Sequence, residues 1–279
     1  MLSRLLLFFI VLFFKLPLFV LHGLGALFGR LAYRFDQRFK ERIDINLKRA
    51  HIASDDVTLK KLSRLSVGEI GKCLMETPAI WFNPPQKNFR WVRQCYGWHH
   101  VETALKMKKG IIFLTPHLGC FEITAQYYAH FHPITVLFKR PKKDWLANIV
   151  LSGRRHSNIH LAEANIQGVK QLMQALKKGE AIGVLPDQVP SEGQGVWTNF
   201  FSQSAYTMTL VSKLAESSSA TVLVGFGHRL SHGKGFEVYI EPLGKDHSPQ
   251  SINDKLETLI RKYPTQYLWN YQRFKNPNK

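Results

Sequence analysis

Cysteine is scarce in this chain. Three residues in 279, Cys73, Cys95 and Cys120, stand too far apart for a paired metal or redox motif. An odd, sparse count fits reduced thiols on the cytoplasmic side. Acidic residues are also few: 20 Asp plus Glu against 38 Lys plus Arg, a formal charge of +18. A field of that sign attracts anions, whether nucleic acid, anionic lipid headgroups or phosphorylated substrates. No helix-turn-helix, zinc or RNA-binding pattern occurs, which argues against nucleic acid. Internal repeats and low-complexity tracts are missing too. With 45% apolar residues the chain can bury a full core.

Long apolar runs are confined to the N-terminus. Leu5 to Phe14 reads LLLFFIVLFF, and after Lys15 and Pro17 the pattern continues to Gly29. About 20 apolar residues cross a bilayer, and residues 5–28 can supply them as an N-terminal membrane helix. The other arrangement is two short helices in one leaflet, kinked at Pro17. A cleaved signal peptide needs a small-residue site after the apolar core, and none follows Phe14. Arg30, Arg34, Arg38, Lys40, Arg42, Lys48 and Arg49 come next, which keeps the following chain cytoplasmic and suits an anionic membrane surface. The expected organisation is a membrane-anchoring segment, 1–29, and a catalytic domain, 30–279.

Residues 30–50 carry apolar positions at four-residue spacing and read as one basic amphipathic helix. Ser54-Asp55-Asp56 marks the start of another, running to about Trp81 and broken by Asn83-Pro84-Pro85. Beyond residue 111, short apolar runs at 111–115, 134–138, 181–185, 221–226, 236–241 and 267–271 read as strands. Helical patterns fall at 118–130, 142–152, 168–178, 206–216 and 251–263. This alternation implies an α/β fold with a mainly parallel central sheet flanked by helices. Such sheets place their sites at strand C-termini.

His117 follows the first of these strands, and Glu122 lies five positions on. A carboxylate on one imidazole nitrogen fixes the tautomer and leaves the other free to take a proton from a hydroxyl. Alone, His-x4-Glu is a weak pattern among twelve histidines. Cys120 beside it reads as packing more readily than as a nucleophile. His99, His100, His130 and His132 show no ligand spacing.

The block HLGCFE after IIFLTP resembles the His-x4-Asp/Glu motif of the glycerolipid-type acyltransferases. More closely, it resembles that of the lipid A late (lauroyl/myristoyl) acyltransferases of Gram-negative bacteria. Further blocks match in order: FKRP (138–141), GRRHSN (153–158), KKGEAIGVLPDQ (177–188), NFFSQSAYTMT (199–209) and YPTQYLWNYQRFKNP (263–277). Cys120-Phe121 departs from the family's frequent Asn-Trp, and Asp187-Gln188 from a commoner Asp-His. The resemblance implies acyl transfer from acyl carrier protein to a phosphorylated glycolipid at the cytoplasmic face of the inner membrane, with no metal or cofactor. His117 would be the base and Glu122 its orienter. Arg154 is the first candidate for the oxyanion. Arg140 is the second, or a phosphate ligand, and Asp187 would position Arg154 or the acceptor hydroxyl. An acyl pocket is expected among Phe200, Phe201 and similar residues. The rival readings are a non-catalytic basic membrane-binding protein, a hydrolase with the same dyad, and acylation of a lysophospholipid or aminolipid.

Overall fold

The computed structural model describes residues 11–154 and 158–277. Residues 5–10 of the apolar run and 155–157 of the GRRHSN block lie outside the described residues. Residues 11–14 are helical, the helix stops at Lys15, and Pro17 opens a new one, α1 (Leu18–Phe35). Among the described residues no helix is long and apolar enough to cross a membrane. A single unbroken helix over the described part of the run, 11–28, is not what forms. Proline interrupts the run, and one face of α1 is committed to protein.

That commitment is made by glycine. α1 crosses α3 (Asp56–Phe82) at Gly25, Gly29 and Gly71. A Cβ added to Gly29 would lie 2.0 Å from the Val67 carbonyl oxygen, and one on Gly71 1.9 Å from that of Gly25. The two backbones therefore touch, as in small-residue helix crossings. α1 buries Leu18, Leu21, His22 and Ala26 on this side, while Phe19, Leu27, Phe28, Leu31 and Phe35 are exposed.

The single helix expected over 30–50 is two. Asp36 takes an extended conformation and its carboxylate accepts the Phe39 N–H at 3.0 Å, capping α2 (Gln37–Arg49). Asp55 caps α3 in the same way through the Thr58 N–H at 2.8 Å. Asn83, ahead of a proline, is extended and ends α3.

The remaining chain builds the layered domain. In order come α4 (Pro85–Trp91), β1 (Val92–Tyr96), α5 (Trp98–Met107), β2 (Ile111–Leu114), α6 (Phe121–Ala129), β3 (Ile134–Phe138), α7 (Asp144–Arg154), β4 (Ile159–Glu163), α8 (Ile166–Lys177) and β5 (Ala181–Val184). A hairpin follows, β6 (Gly195–Phe200) and β7 (Gln203–Met208), then α9 (Leu210–Ser218), β8 (Thr221–Arg229), β9 (Phe236–Pro242) and α10 (Pro249–Lys262). The seven-stranded sheet runs β1-β9-β8-β2-β5-β3-β4, parallel except for the β8–β9 pair. β2 and β5 lie at its centre, are buried along their whole length, and read as unbroken apolar runs. One sheet face packs Leu172, Leu214 and Leu256 from α8, α9 and α10; the other packs Ile123 and Tyr128 of α6 over Phe113.

Two expectations fail for identifiable reasons. The helix expected from Tyr206 starts only at Leu210, because Phe201 and Ser202, with φ of 52° and 59°, make a two-residue turn that pairs 203–208 with 195–200. Residues 267–271 do not form a strand: Tyr267 makes an isolated bridge to Leu118, and the chain turns at 269–270. Asn46 donates to the carbonyls of Trp269 and Tyr271 at 2.6 and 2.8 Å, replacing a strand partner.

Candidate active site

β2 and β5 are neighbours in parallel register, so the loops leaving their C-terminal ends meet. Thr115-Pro116-His117 leaves β2, and Leu185-Pro186-Asp187 leaves β5. Asp187 is buried and joins His117 twice. One oxygen lies 2.8 Å from Nδ1, and the other accepts the His117 backbone N–H at 2.8 Å. Burial opposes the charge on Asp187, but the His117 ring and N–H outweigh it and hold the carboxyl below its ordinary pKa. An ionised acceptor at Nδ1 requires the proton there, which leaves Nε2 as the open acceptor. The Gln188 amide nitrogen stands 3.1 Å from that Nε2.

Glu122 does not fill the orienting place. It lies in the first turn of α6 and faces Arg154 and Trp81. Arg154 Nε donates to its two oxygens at 3.0 and 3.2 Å, Nη2 bonds it as well, and the Trp81 indole donates at 3.2 Å. The guanidinium also lies over the Trp81 ring. The structure thus pairs His117 with Asp187 and Glu122 with Arg154. Gly119, at φ +62°, turns the chain so that the two side chains diverge. Arg140 is outside this cluster; it is exposed and pairs with Asp144, one turn on, at 3.3 Å.

The loop between the two pairs is pinned at every residue. The Gly119 N–H donates to the Gln266 carbonyl at 2.9 Å, and its own carbonyl accepts from Arg229 at 3.1 Å. The Cys120 N–H reaches the Gly227 carbonyl at 2.7 Å, and Leu268 N–H holds the His117 carbonyl at 3.1 Å. Arg229 is itself buried, bonded to Glu76 and Glu69, and Glu76 also meets His22 of α1 at 2.9 Å. Sequence reasoning missed Arg229 and Glu76. They stand 153 residues apart, and a charge that becomes buried looks like any surface charge until the fold is known. Gln266 lay in a matched block, without a role.

Cys120 is buried, and burial pushes its thiol well above the ordinary value. A thiolate nucleophile there is disfavoured.

Beneath α6 lies a narrow apolar slot with a cavity of about 50 Å3. Phe113, Tyr128, Val136, Gly183 and Gly225 line its interior, and Phe121, Glu122 and Arg154 also border it. The Phe121 ring is 4.8 Å from the His117 ring, so the slot adjoins the base. Phe200 and Phe201, expected in such a pocket, are each 1% exposed and packed in the core on the other sheet face. At the opposite end of the N-terminal crossing, Phe14 meets Phe82, next to Trp81.

A match to the family described as bacterial lipid A biosynthesis acyltransferase extends over residues 1–276. The lipid A biosynthesis lauroyltransferase of Escherichia coli (strain K12) is 28% identical over 272 residues, covering 94% of this chain and 87% of that protein. The palmitoleoyltransferase of the same strain is 24% identical over 269 residues, with the same coverage of both chains. A lipid A biosynthesis acyltransferase of Haemophilus influenzae is 26% identical over 185 residues, covering 62% of this chain and 56% of that protein.

Proposed function

Given that the chain belongs to the bacterial lipid A biosynthesis acyltransferase family, we propose that it moves a fatty acyl chain from an acyl carrier protein thioester to a hydroxyl of a phosphorylated lipid A precursor, with His117 as general base. The observation that carries this reading is an imidazole with one nitrogen fixed by Asp187 and the other met only by the exposed Gln188 amide, beside an apolar slot.

The acceptor hydroxyl gives its proton to His117 Nε2 as its oxygen attacks the thioester carbonyl. The tetrahedral intermediate collapses, the C–S bond breaks, and the departing thiolate recovers the proton from the imidazolium. All four backbone N–H groups from His117 to Cys120 are already spent within the protein. Oxyanion donors must therefore come from elsewhere, and the side-chain candidates are the Gln188 amide beside Nε2 and the Arg154 guanidinium bordering the slot. The acyl chain enters at the slot under α6, whose apolar walls part to admit it. No metal or cofactor takes part.

The exposed apolar face of α1 and the basic residues after it favour work at the cytoplasmic face of the inner membrane, with α1 lying in the interface. Purified protein with acyl carrier protein thioester and a phosphorylated disaccharide lipid tests the reading. His117→Ala should lose roughly 10²- to 10⁴-fold in transfer rate while keeping its fold. Equal transfer by wild type and His117→Ala would refute the mechanism. Thioester loss independent of acceptor would indicate a hydrolase, and transfer only to a lysophospholipid or aminolipid would redirect the acceptor.

A further inference from the structure

Far from His117, four cations line one cleft. A cleft of about 550 Å3 between α1, α2 and α3 is lined by Arg30, Arg34, Lys40 and Arg64, with Tyr33 and Gln37. None of the four cations forms an ion pair among the described residues. The nearby carboxylates, two against four cations, bond to neutral donors and reach none of the four at ion-pair distance. Asp44 accepts from the Tyr33 and Ser63 hydroxyls, each at 2.8 Å, and Glu41 from Gln37 at 2.9 Å. An adjoining hollow shares Arg64 and adds Lys60 and Lys61. Like charges held this close repel one another, and an anion between them relieves that repulsion.

The surroundings say which anion. Leu31 and Phe35 on α1 are 42% and 78% exposed, and Val57 and Leu65 beside the second hollow 79% and 49%. Cations flanked by unburied apolar side chains match a ligand with a charged head and hydrocarbon tails. A soluble acidic protein would leave Phe35 unexplained. The cleft is also remote from the chemistry. Arg64 and Trp81 lie on one helix, seventeen residues and so roughly 25 Å apart, and Trp81 touches Glu122. A lipid held at Arg64 is not the lipid reacting at His117.

We propose that this cleft binds the phosphate headgroup of an anionic membrane phospholipid, as an anchoring site separate from the acyl acceptor. The proposal rests on the reading of α1 as lipid-facing, but not on the role of His117. Arg34 and Lys40 lie over the rings of Phe35 and Tyr33 respectively, contacts that a phosphate bound between the cations can replace.

The full-length protein is assayed by co-sedimentation with phosphatidylcholine vesicles, with and without phosphatidylglycerol. The Arg30→Gln/Arg34→Gln/Arg64→Gln variant should lose about 100-fold in affinity for the phosphatidylglycerol vesicles at low salt and nothing for pure phosphatidylcholine. Its acyl transfer in neutral detergent micelles should equal that of wild type. A control, Lys177→Gln/Lys178→Gln/Lys213→Gln, removes the same charge outside the cleft and should lose far less. Equal loss in both variants, or no loss in either, would overturn a defined site. Unchanged vesicle binding with a raised KM for acyl carrier protein would also overturn it and assign the cleft to that protein. An inactive wild type that still binds these vesicles would fail the catalytic reading alone.

Discussion

Asp187 holds His117 by both its ring and its backbone, at 2.8 Å each. The second bond matters because it fixes where the ring starts as well as how it is turned. Asp187→Asn retains the shape and can still accept at one position, but it removes the charge that favours the Nδ1–H tautomer and steadies the imidazolium. We expect kcat to fall by about 10²- to 10⁴-fold with KM for the acyl donor little changed. Steady-state kinetics alongside circular dichroism measures this. A variant with wild-type kcat would remove Asp187 from the mechanism.

Glu122 should behave differently. Arg154→Ala leaves its carboxylate mostly buried, with only the Trp81 indole as partner, at a cost of about 2 kcal/mol in stability. Glu122→Gln/Arg154→Met leaves no unpaired charge and should cost less than Arg154→Ala alone, as read by urea unfolding. Glu122→Gln should also leave the shape of the pH–rate profile intact. A displaced profile would restore Glu122 to the orienting role.

Acid should loosen the contact between α1 and the active-site loop. Burial disfavours the Glu76 charge, but the Arg229 guanidinium, with hydrogen bonds from Arg229 and His22, lowers its pKa from 4.5 to about 2. The unfolded chain therefore takes up this proton near 4.5 and the folded one only near 2. The stabilisation from Glu76 is complete above about 4.5 and disappears as pH falls toward 2. Glu76→Gln should be less stable at neutral pH by about 3 kcal/mol, since Arg229 stays buried with its charge. It should also show a shallower decline in acid. Urea melts across this pH range report both.

The slot can be filled without disturbing its walls. A Cβ on Gly183 would sit 3.4 Å from Val136 Cγ2 and 3.6 Å from Ile134 Cδ1, ordinary contact distances. Gly183→Ala should melt near wild type while discriminating against the longest acyl chains by about tenfold relative to shorter ones. A series of acyl carrier protein thioesters of graded length tests this. A uniform change at every length would place the acyl chain elsewhere.

Much of this architecture is legible along the chain. Apolar runs bounded by glycine and proline mark the central strands, and Asp55 and Asn83-Pro84 mark the ends of α3. His117 and Asp187 are both visible as polar residues just past buried strands. Their partnership is not, because it depends on β2 and β5 being neighbours in the sheet, and spacing along the chain carries no such information. The five-residue step from His117 to Glu122 suggested a helical return, and one left-handed glycine undid it. The alternating aromatics of 267–271 carry a strand pattern, yet Asn46, more than two hundred residues away, takes the carbonyls a neighbouring strand would have used. Arg229 was invisible for the same reason, being one more cation in a chain rich in them.

The meeting of Gly25 and Gly29 with Val67 and Gly71 has a mechanical consequence. A seam of bare backbone has no side chains to yield, so α1 cannot slide or roll by a residue without collision. It is a rigid keel and not a flexible leash. Whatever surface receives its outer face also sets the depth and tilt at which the His117 end is presented. Lengthening the chain ahead of Pro17 would leave that posture unchanged, whereas one methyl group at Gly29 would alter it.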